Sequence, residues 1–264
     1  MFNQRQTEIL RFLAEVQFAR LDQLAARLGV SAETIRRDLK ELEQESAIKR
    51  VRGGAVFSGL RANEREFVKK ANSNHQEKSA IAAEALKHLH DGEAIAINNG
   101  VTSMALAHAI ERSGLSLNIV TNSPPIAVLL SQTDQNRVFL TGGYLRKHNK
   151  SLVGSLCGNS LENFRVDKTF LSVDGLSIQD GITEYNTEEA AVLRRMLRIG
   201  REKIILAECS KFREVAFNRI CTAEEIDCII TDWNITAQEM APWQDAGVQV
   251  IAAPQRMPDY AHAE

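Results

Sequence analysis

The sequence predicts an α/β protein with three parts: an N-terminal winged helix-turn-helix domain at residues 1–57, a linker at 58–77, and a mostly parallel α/β domain at 78–264. Three observations carry this reading. Apolar residues recur at helical spacing in three short segments, and a basic, glycine-containing hairpin follows them. From Phe57 to Gln76 that periodicity breaks into charges of alternating sign. Beyond Lys78, apolar strands alternate with amphipathic helices, the order that builds a parallel sheet covered on both faces.

The first helix runs over Gln4–Val16, with Ile9, Leu10, Leu13 and Val16 on one face and Arg5, Glu8, Arg11 and Glu15 on the other. The second covers Leu21–Leu28, and Gly29 after it permits a left-handed turn. Ser31 caps the third helix, in which Ile35, Leu39 and Leu42 form the inward stripe. Thr34, Arg36, Arg37 and Lys40 lie off that stripe, toward the N-terminal half, where a recognition helix meets base edges and phosphates. Taken alone, the same face reads more readily as a solvated one, with Arg37 or Lys40 paired to Glu33, Asp38 or Glu41. Ala47–Val56 tips the balance. Two β-prone pieces flank a Gly53-Gly54 turn and carry Lys49, Arg50 and Arg52, which makes a wing suited to the DNA backbone.

In the larger domain a helical stripe comes first, through Ile81, Ala82, Ala85, Leu86 and Leu89. Strands are expected at Ala94–Ile97, Leu117–Thr121, Arg137–Leu140, Thr169–Val173, Lys203–Ala207, Cys228–Thr231 and Val248–Ile251. Helices are expected at Thr102–Arg112, Pro124–Gln132, Thr187–Gly200 and Thr236–Asp245. Open parallel sheets bind ligands beyond the carboxyl ends of their strands, so the loops after strands are the candidate site. The first contains Asn98, Asn99, Gly100, Thr102 and Ser103 and opens a helix, whose free N–H groups suit an anion such as phosphate. Thr121, Asn122 and Ser123 follow the second strand, Gly142 and Gly143 the third, and Asp174 and Gly175 the fourth. Ser210 and Lys211 follow the fifth, and Lys211 offers a positive charge to a phosphate. Each loop alone is ordinary turn chemistry; together they favour a pocket for a small polar ligand.

Composition narrows the function. A hydrophobic fraction of 44% and a charged fraction of 25% exclude wholesale disorder and collagen-like repetition. No apolar run is long enough to span a membrane, and the N-terminus lacks a secretory pattern, so a cytoplasmic protein is expected. Cys157, Cys209, Cys221 and Cys228 form no C-x-x-C pair and read as free thiols; no metal site and no cofactor are expected. The net charge of −2 conceals a division: residues 1–70 carry 14 basic and 10 acidic side chains, net +4, and residues 71–264 carry 18 and 24, net −6. A basic head fits double-stranded DNA, and helix-turn-helix proteins bind it as dimers, so a homodimer or homotetramer is expected. RNA binding lacks support, because none of the three tyrosines lies in the first domain. An enzyme reading would cast Asp174, Glu208 and Lys211 as acid, base and electrophile. No histidine joins them at the strand ends, so no residue is assigned a catalytic role.

The N-terminal residues Arg5, Ile9, Leu13, Ser31 and Thr34-Ile35-Arg36-Arg37-Asp38-Leu39 resemble the signature of the DeoR family of bacterial transcription regulators. The family's wing usually reads R-x-H-G-G-A; here it is Arg50-Val51-Arg52-Gly53-Gly54-Ala55, with an arginine in place of the histidine. The larger domain is similar to that family's sensor domain, which is related to sugar-phosphate isomerases and deaminases. The matching segments include the Gly100 loop, Thr121-Asn122-Ser123, Leu152-Val153-Gly154, Asp174-Gly175, Glu189-Ala190, Ser210-Lys211-Phe212 and Ile230-Thr231-Asp232. The resemblance implies a repressor of carbohydrate utilisation, tuned at its operator by a phosphorylated sugar. Two departures stand out. Asn98 and Val101 replace an aspartate and a threonine of D-x-G-T-T-T, and Glu208-Cys209-Ser210-Lys211 stands for D-S-S-K.

Overall fold

The computed structural model describes residues 5, 6, 8, 9, 12, 13, 18–44, 48–51, 53–57, 74–147 and 149–255. The chain divides into two compact units, Met1–Lys69 and Lys70–Glu264. Most of the expected linker, residues 58–73, lies outside the described residues, as does Arg52 of the expected wing.

In the first unit, residues 5, 6, 8, 9, 12 and 13 are helical; the rest of the expected Gln4–Val16 helix, with Leu10 and Val16, is outside the described residues. A short strand follows, β1 (Phe18–Arg20), then α1 (Leu21–Leu28), α2 (Ala32–Gln44), β2 (Ile48–Val51) and β3 (Gly54–Phe57). Gly29 closes α1 in the left-handed region at φ 63°, and Val30 donates its N–H back to Ala25, which turns the chain into α2. Ser31 caps α2: its Oγ accepts the Thr34 N–H at 3.2 Å. Strand β1 was not expected from the sequence. It pairs antiparallel with β3 and makes the wing a three-stranded sheet in the order β1-β3-β2. The hairpin register also corrects the expected turn. Val51 pairs with Gly54, so Gly54 belongs to the strand, and Gly53 before it turns the chain at φ 87°. Among the described residues one small core gathers Ile9, Leu13, Leu24, Ile35, Leu39, Leu42 and Ile48, all buried.

In the second unit the elements run α3 (His75–Leu86), β4 (Ala94–Ile97), α4 (Val101–Ser113), β5 (Asn118–Thr121), α5 (Pro124–Leu130) and β6 (Arg137–Leu140). They continue with β7 (Tyr144–Leu145), β8 (Leu152–Val153), α6 (Ser155–Glu162), β9 (Val166–Ser172), β10 (Gly175–Ser177), β11 (Gly181–Glu184), α7 (Thr187–Ile199) and β12 (Gly200–Leu206). After β13 (Asn218–Cys221) come β14 (Cys228–Thr231), α8 (Ala237–Asp245) and β15 (Gln249–Ala252). Seven of these strands form one sheet, β15-β14-β12-β9-β4-β5-β6, and every pairing within it is parallel. Its buried strands are near-continuous apolar runs, as both-face burial requires. One core cluster fills each face. The first gathers Ile95, Ile97, Phe170 and Ile204 with α3, α4 and α5; the second gathers Leu171, Ile205 and Ile229 with α6, α7 and α8.

The sheet order locates the ligand crevice. From β4 the chain winds outward to β5 and β6, then crosses back to place β9 on the other side of β4. The winding reverses between β9 and β4, and open α/β sheets bind ligands at such a reversal, beyond the carboxyl ends of the strands. A second, antiparallel sheet β10-β11-β13 and the hairpin β7-β8 are additions beyond the expected alternation.

Candidate nucleic-acid interface and ligand site

Helix α2 divides its faces as its sequence pattern requires. Ile35 and Leu39 are buried; Ser31, Arg36, Arg37 and Lys40 are exposed, and Thr34 is half-buried. Part of the alternative reading is also present. Arg36 Nη1 contacts Glu33 at 2.9 Å, and Arg37 Nε lies 3.7 Å from Glu41. Such surface pairs contribute little to stability, so a phosphate can displace them. Asp38 is different: it is buried and takes two bonds from Arg5, at 2.5 and 3.1 Å. Gln6 donates to Glu41 at 2.6 Å. These long-range contacts, which residue spacing does not reveal, fix the first helix against the recognition helix. In the wing, Arg50 and Gly53 are exposed, and Arg50 is tied to Glu43 at the end of α2. The side chains of Lys49 and Arg52 lie outside the described residues.

In the larger unit, the loops at the carboxyl ends of the neighbouring strands β4 and β5 interlock. The Asn99 N–H donates to Asn122 Oδ1 at 2.9 Å, and Ser123 Oγ donates to Asn99 Oδ1 at 2.8 Å. Asn122 Nδ2 in turn donates to the Leu152 carbonyl, and Asn99 Nδ2 to that of Asn149. Thr121, Asn122 and Ser123 are buried, as are Thr102 and Ser103 at the start of α4. The first N–H groups of a helix have no partner within it, so the start of α4 favours an anion.

Asn98 turns inward. Its Nδ2 donates to the Ser172 carbonyl at 2.9 Å, and its Oδ1 accepts from Ser103 Oγ at 2.7 Å and the Ser172 N–H at 2.9 Å. An amide supplies both donor and acceptor there, which an aspartate cannot do. Asn98 therefore ties β4 to β9 across the winding reversal. Gly100 is needed for close approach, because a Cβ there would overlap the Ser172 hydroxyl.

The remaining expected residues fall into two groups. Asp174 lies on the crevice side of β9, and its Oδ2 accepts the Tyr185 N–H at 3.3 Å. Burial, and Asp174 after it, pushes the Glu184 carboxyl well above the usual carboxylate range. Half-buried Lys211 stands on the loop after β12, the strand that flanks β9 on the side away from β4. Gly175 packs under the Glu214 carbonyl, within the small antiparallel sheet. Gly142 and Gly143 lie against α6 instead: Gly142 N–H donates to Ser160 Oγ, and Gly143 packs on Val153 and Cys157.

Sequence reasoning missed the partners of three buried charged residues, Lys78, Glu208 and Glu189. Lys78 and Glu208 form an ion pair at 2.9 Å with both side chains nearly inaccessible, and Asn74 adds a bond to Glu208. Glu189, buried at the start of α7, accepts from Arg146 at 2.8 Å, from Asn149 at 2.6 Å and from Ser151. It holds the 146–151 loop whose Asn149 carbonyl meets Asn99. Among the described residues no three His, Cys, Asp or Glu side chains are placed to hold a metal ion. The four cysteines are free, and burial pushes Cys221 and Cys228 up to about 12.

A winged helix-turn-helix joined to an open α/β sheet with a polar crevice defines a DNA-binding transcriptional regulator with a ligand-responsive domain. Residues 5–59 match the DeoR-like helix-turn-helix domain and residues 73–233 the DeoR C-terminal sensor domain. The chain belongs to the DeoR family. It is 34% identical over 248 residues to the HTH-type transcriptional regulator GlpR of Haloferax volcanii, covering 94% of this chain and 96% of that one. It is 32% identical over 229 residues to the HTH-type transcriptional repressor GlcR of Bacillus subtilis, covering 87% and 88%. The glycerol-3-phosphate regulon repressor of Escherichia coli is 28% identical over 229 residues, covering 87% and 90%. Among solved structures, ribose 5 phosphate isomerase A from Neisseria gonorrhoeae is 18% identical over 53% of this chain and 54% of its own, with a TM-score of 0.37. These named relatives are regulators and repressors, and this chain is a regulator rather than an enzyme. No helix among the described residues is long and apolar enough to cross a membrane.

Proposed function

We propose that this regulator is a cytoplasmic repressor of a carbohydrate-utilisation operon, released from its operator by a phosphorylated sugar. The observation that carries this reading is the crevice at the winding reversal. It offers the first turn of α4 to a phosphate, with Lys211 across β9 and Asp174 between them to receive hydroxyls. The relatives named for glycerol 3-phosphate and for repression agree with it. Thr102, Ser103, Gly100 and Lys211 form the proposed anion subsite; Asn98, Asn99, Thr121, Asn122 and Ser123 form its frame; Gly142, Gly143 and Gly175 shape neighbouring loops. On the DNA side, Ser31, Thr34, Arg36, Arg37 and Lys40 of the recognition helix and Lys49, Arg50, Arg52 and Gly53 of the wing form the proposed contact surface. Two such heads are needed to read a two-fold operator, so the proposed active form is a homodimer or a pair of dimers.

A ligand relieves repression only by binding one arrangement of the protein better than the other. The test is a thermal-shift and operator-release screen against hexose, pentose and triose phosphates. One member of the panel should raise the melting temperature and release operator DNA without being consumed. Lys211→Ala should abolish that shift and keep operator binding; Arg36→Ala or Arg37→Ala should do the reverse. A full ligand shift in Lys211→Ala, or turnover of the ligand, would refute the assignment.

A further inference from the structure

Arg50 is the one cation of the β2–β3 hairpin whose side chain is described, and it is engaged. Its guanidinium Nε lies 2.6 Å from Glu43 Oε2, and its backbone N–H donates to Glu43 Oε1 at 3.0 Å. Glu43 stands in the last turn of α2, a turn that carries no basic residue. The Arg50 side chain, and after it the Arg50 N–H, holds the Glu43 carboxyl below the usual carboxylate range. One carboxylate thus grips Arg50 at two points, through its charge and through its backbone. Both partners stay half in water, with 45% of the Arg50 side chain and 35% of Glu43 accessible, so the guanidinium can leave without unfolding anything. A carboxylate and a phosphate oxygen bind a guanidinium in the same way.

We infer that Glu43 is a built-in competitor for DNA phosphate: it occupies Arg50 and so removes one contact from the wing's sequence-independent grip on the duplex. This rests on the reading of the wing as DNA-contacting. A regulator must leave bulk DNA to find its operator, and one phosphate contact fewer weakens non-specific binding at every site alike. Glu43 is by this account a specificity-determining residue that touches no base.

The backbone bond makes the test clean. Glu43→Gln keeps an oxygen to accept the Arg50 N–H, so the hairpin stays tethered while the guanidinium is released. The probe is a labelled mixed-sequence duplex titrated with the full chain by fluorescence anisotropy across a salt series. Glu43→Gln should steepen the slope of log affinity against log salt by about 0.9, equivalent to about threefold more affinity lost from 50 to 200 mM salt. Arg50→Ala alone should leave the wild-type slope nearly unchanged, and Glu43→Gln with Arg50→Ala should return to it. Two results would overturn the inference. In one, Arg50→Ala already flattens the slope by about one and Glu43→Gln changes nothing, which places Arg50 on phosphate throughout. In the other, the double variant keeps the gain of Glu43→Gln, which reduces the effect to loss of one negative charge. A wild-type chain whose duplex binding ignores salt would instead overturn the wing's role in DNA contact.

Discussion

Gly100 is held to glycine by a neighbour and not by its own backbone, which is extended. A methyl group there meets the Ser172 hydroxyl, at the join between β4 and β9. Gly100→Ala should cost about 1–3 kcal/mol as overpacking, read as a lowered melting temperature. Removing the hydroxyl in the same chain with Ser172→Ala should restore most of the loss; no restoration would mean that the clash lies elsewhere. Glu184 makes a second prediction at this scale. Its carboxyl is raised by burial first and by Asp174 second, so the folded chain keeps a proton that the unfolded chain releases. Stability from this residue is therefore complete at low pH and falls as pH climbs above the ordinary carboxylate value, until the folded group ionises. Glu184→Gln holds a neutral side chain throughout. Its melting temperature should match the wild type near about pH 4 and exceed it increasingly toward about pH 7. A difference that does not vary with pH would show that Glu184 is not titrating.

At the level of elements, the buried Lys78–Glu208 pair joins α3 to the loop after β12, the loop that also presents Lys211. Breaking a buried pair strands one charge, so Lys78→Met alone should destabilise by about 3–5 kcal/mol. Lys78→Met with Glu208→Leu should recover most of that in chemical denaturation, whereas additive losses would show that each residue has separate partners. This pair also explains how far the site could be read from sequence. Strand-end loops announce themselves, because an apolar run stops and polar residues with glycine follow, as at Ile97–Gly100 and Thr121–Ser123. Lys78 and Glu189 lie on helices, and their partners are set by tertiary packing across long stretches of chain. No periodicity reports that. The fold divides in the same way. Strands such as Cys228–Thr231 are β-branched apolar runs and match their expected bounds. Helix α6, with Gly158 and Asn159 inside SLCGNSLE, has poor intrinsic propensity and is sustained by packing: a Cβ at Gly158 would collide with Arg195 of α7. Strand β1 is three residues long, and β10 and β11 are scarcely longer, too short for alternation to register.

For the molecule as a whole, the net charge of −2 is the sum of a basic N-terminal unit and an acidic larger one, which suits a protein whose N-terminal unit carries the DNA-binding fold. The negative charge of the larger unit disfavours its contact with the duplex and leaves the basic unit electrostatically favoured. The sheet order has a separate consequence, in the order of synthesis. Strand β4 finds one neighbour, β5, soon after it is made, but its other neighbour, β9, begins only at Val166. While the intervening chain emerges, β4-β5-β6 can assemble with their helices, and the apolar Ala94–Ile97 edge stays open. Parallel pairings between distant segments form slowly, and an unpaired apolar edge is where nascent chains associate wrongly. The strand that closes the ligand crevice is thus also the one that ends this vulnerable interval: until β9 arrives, the young chain has half a sheet, no crevice and an adhesive border.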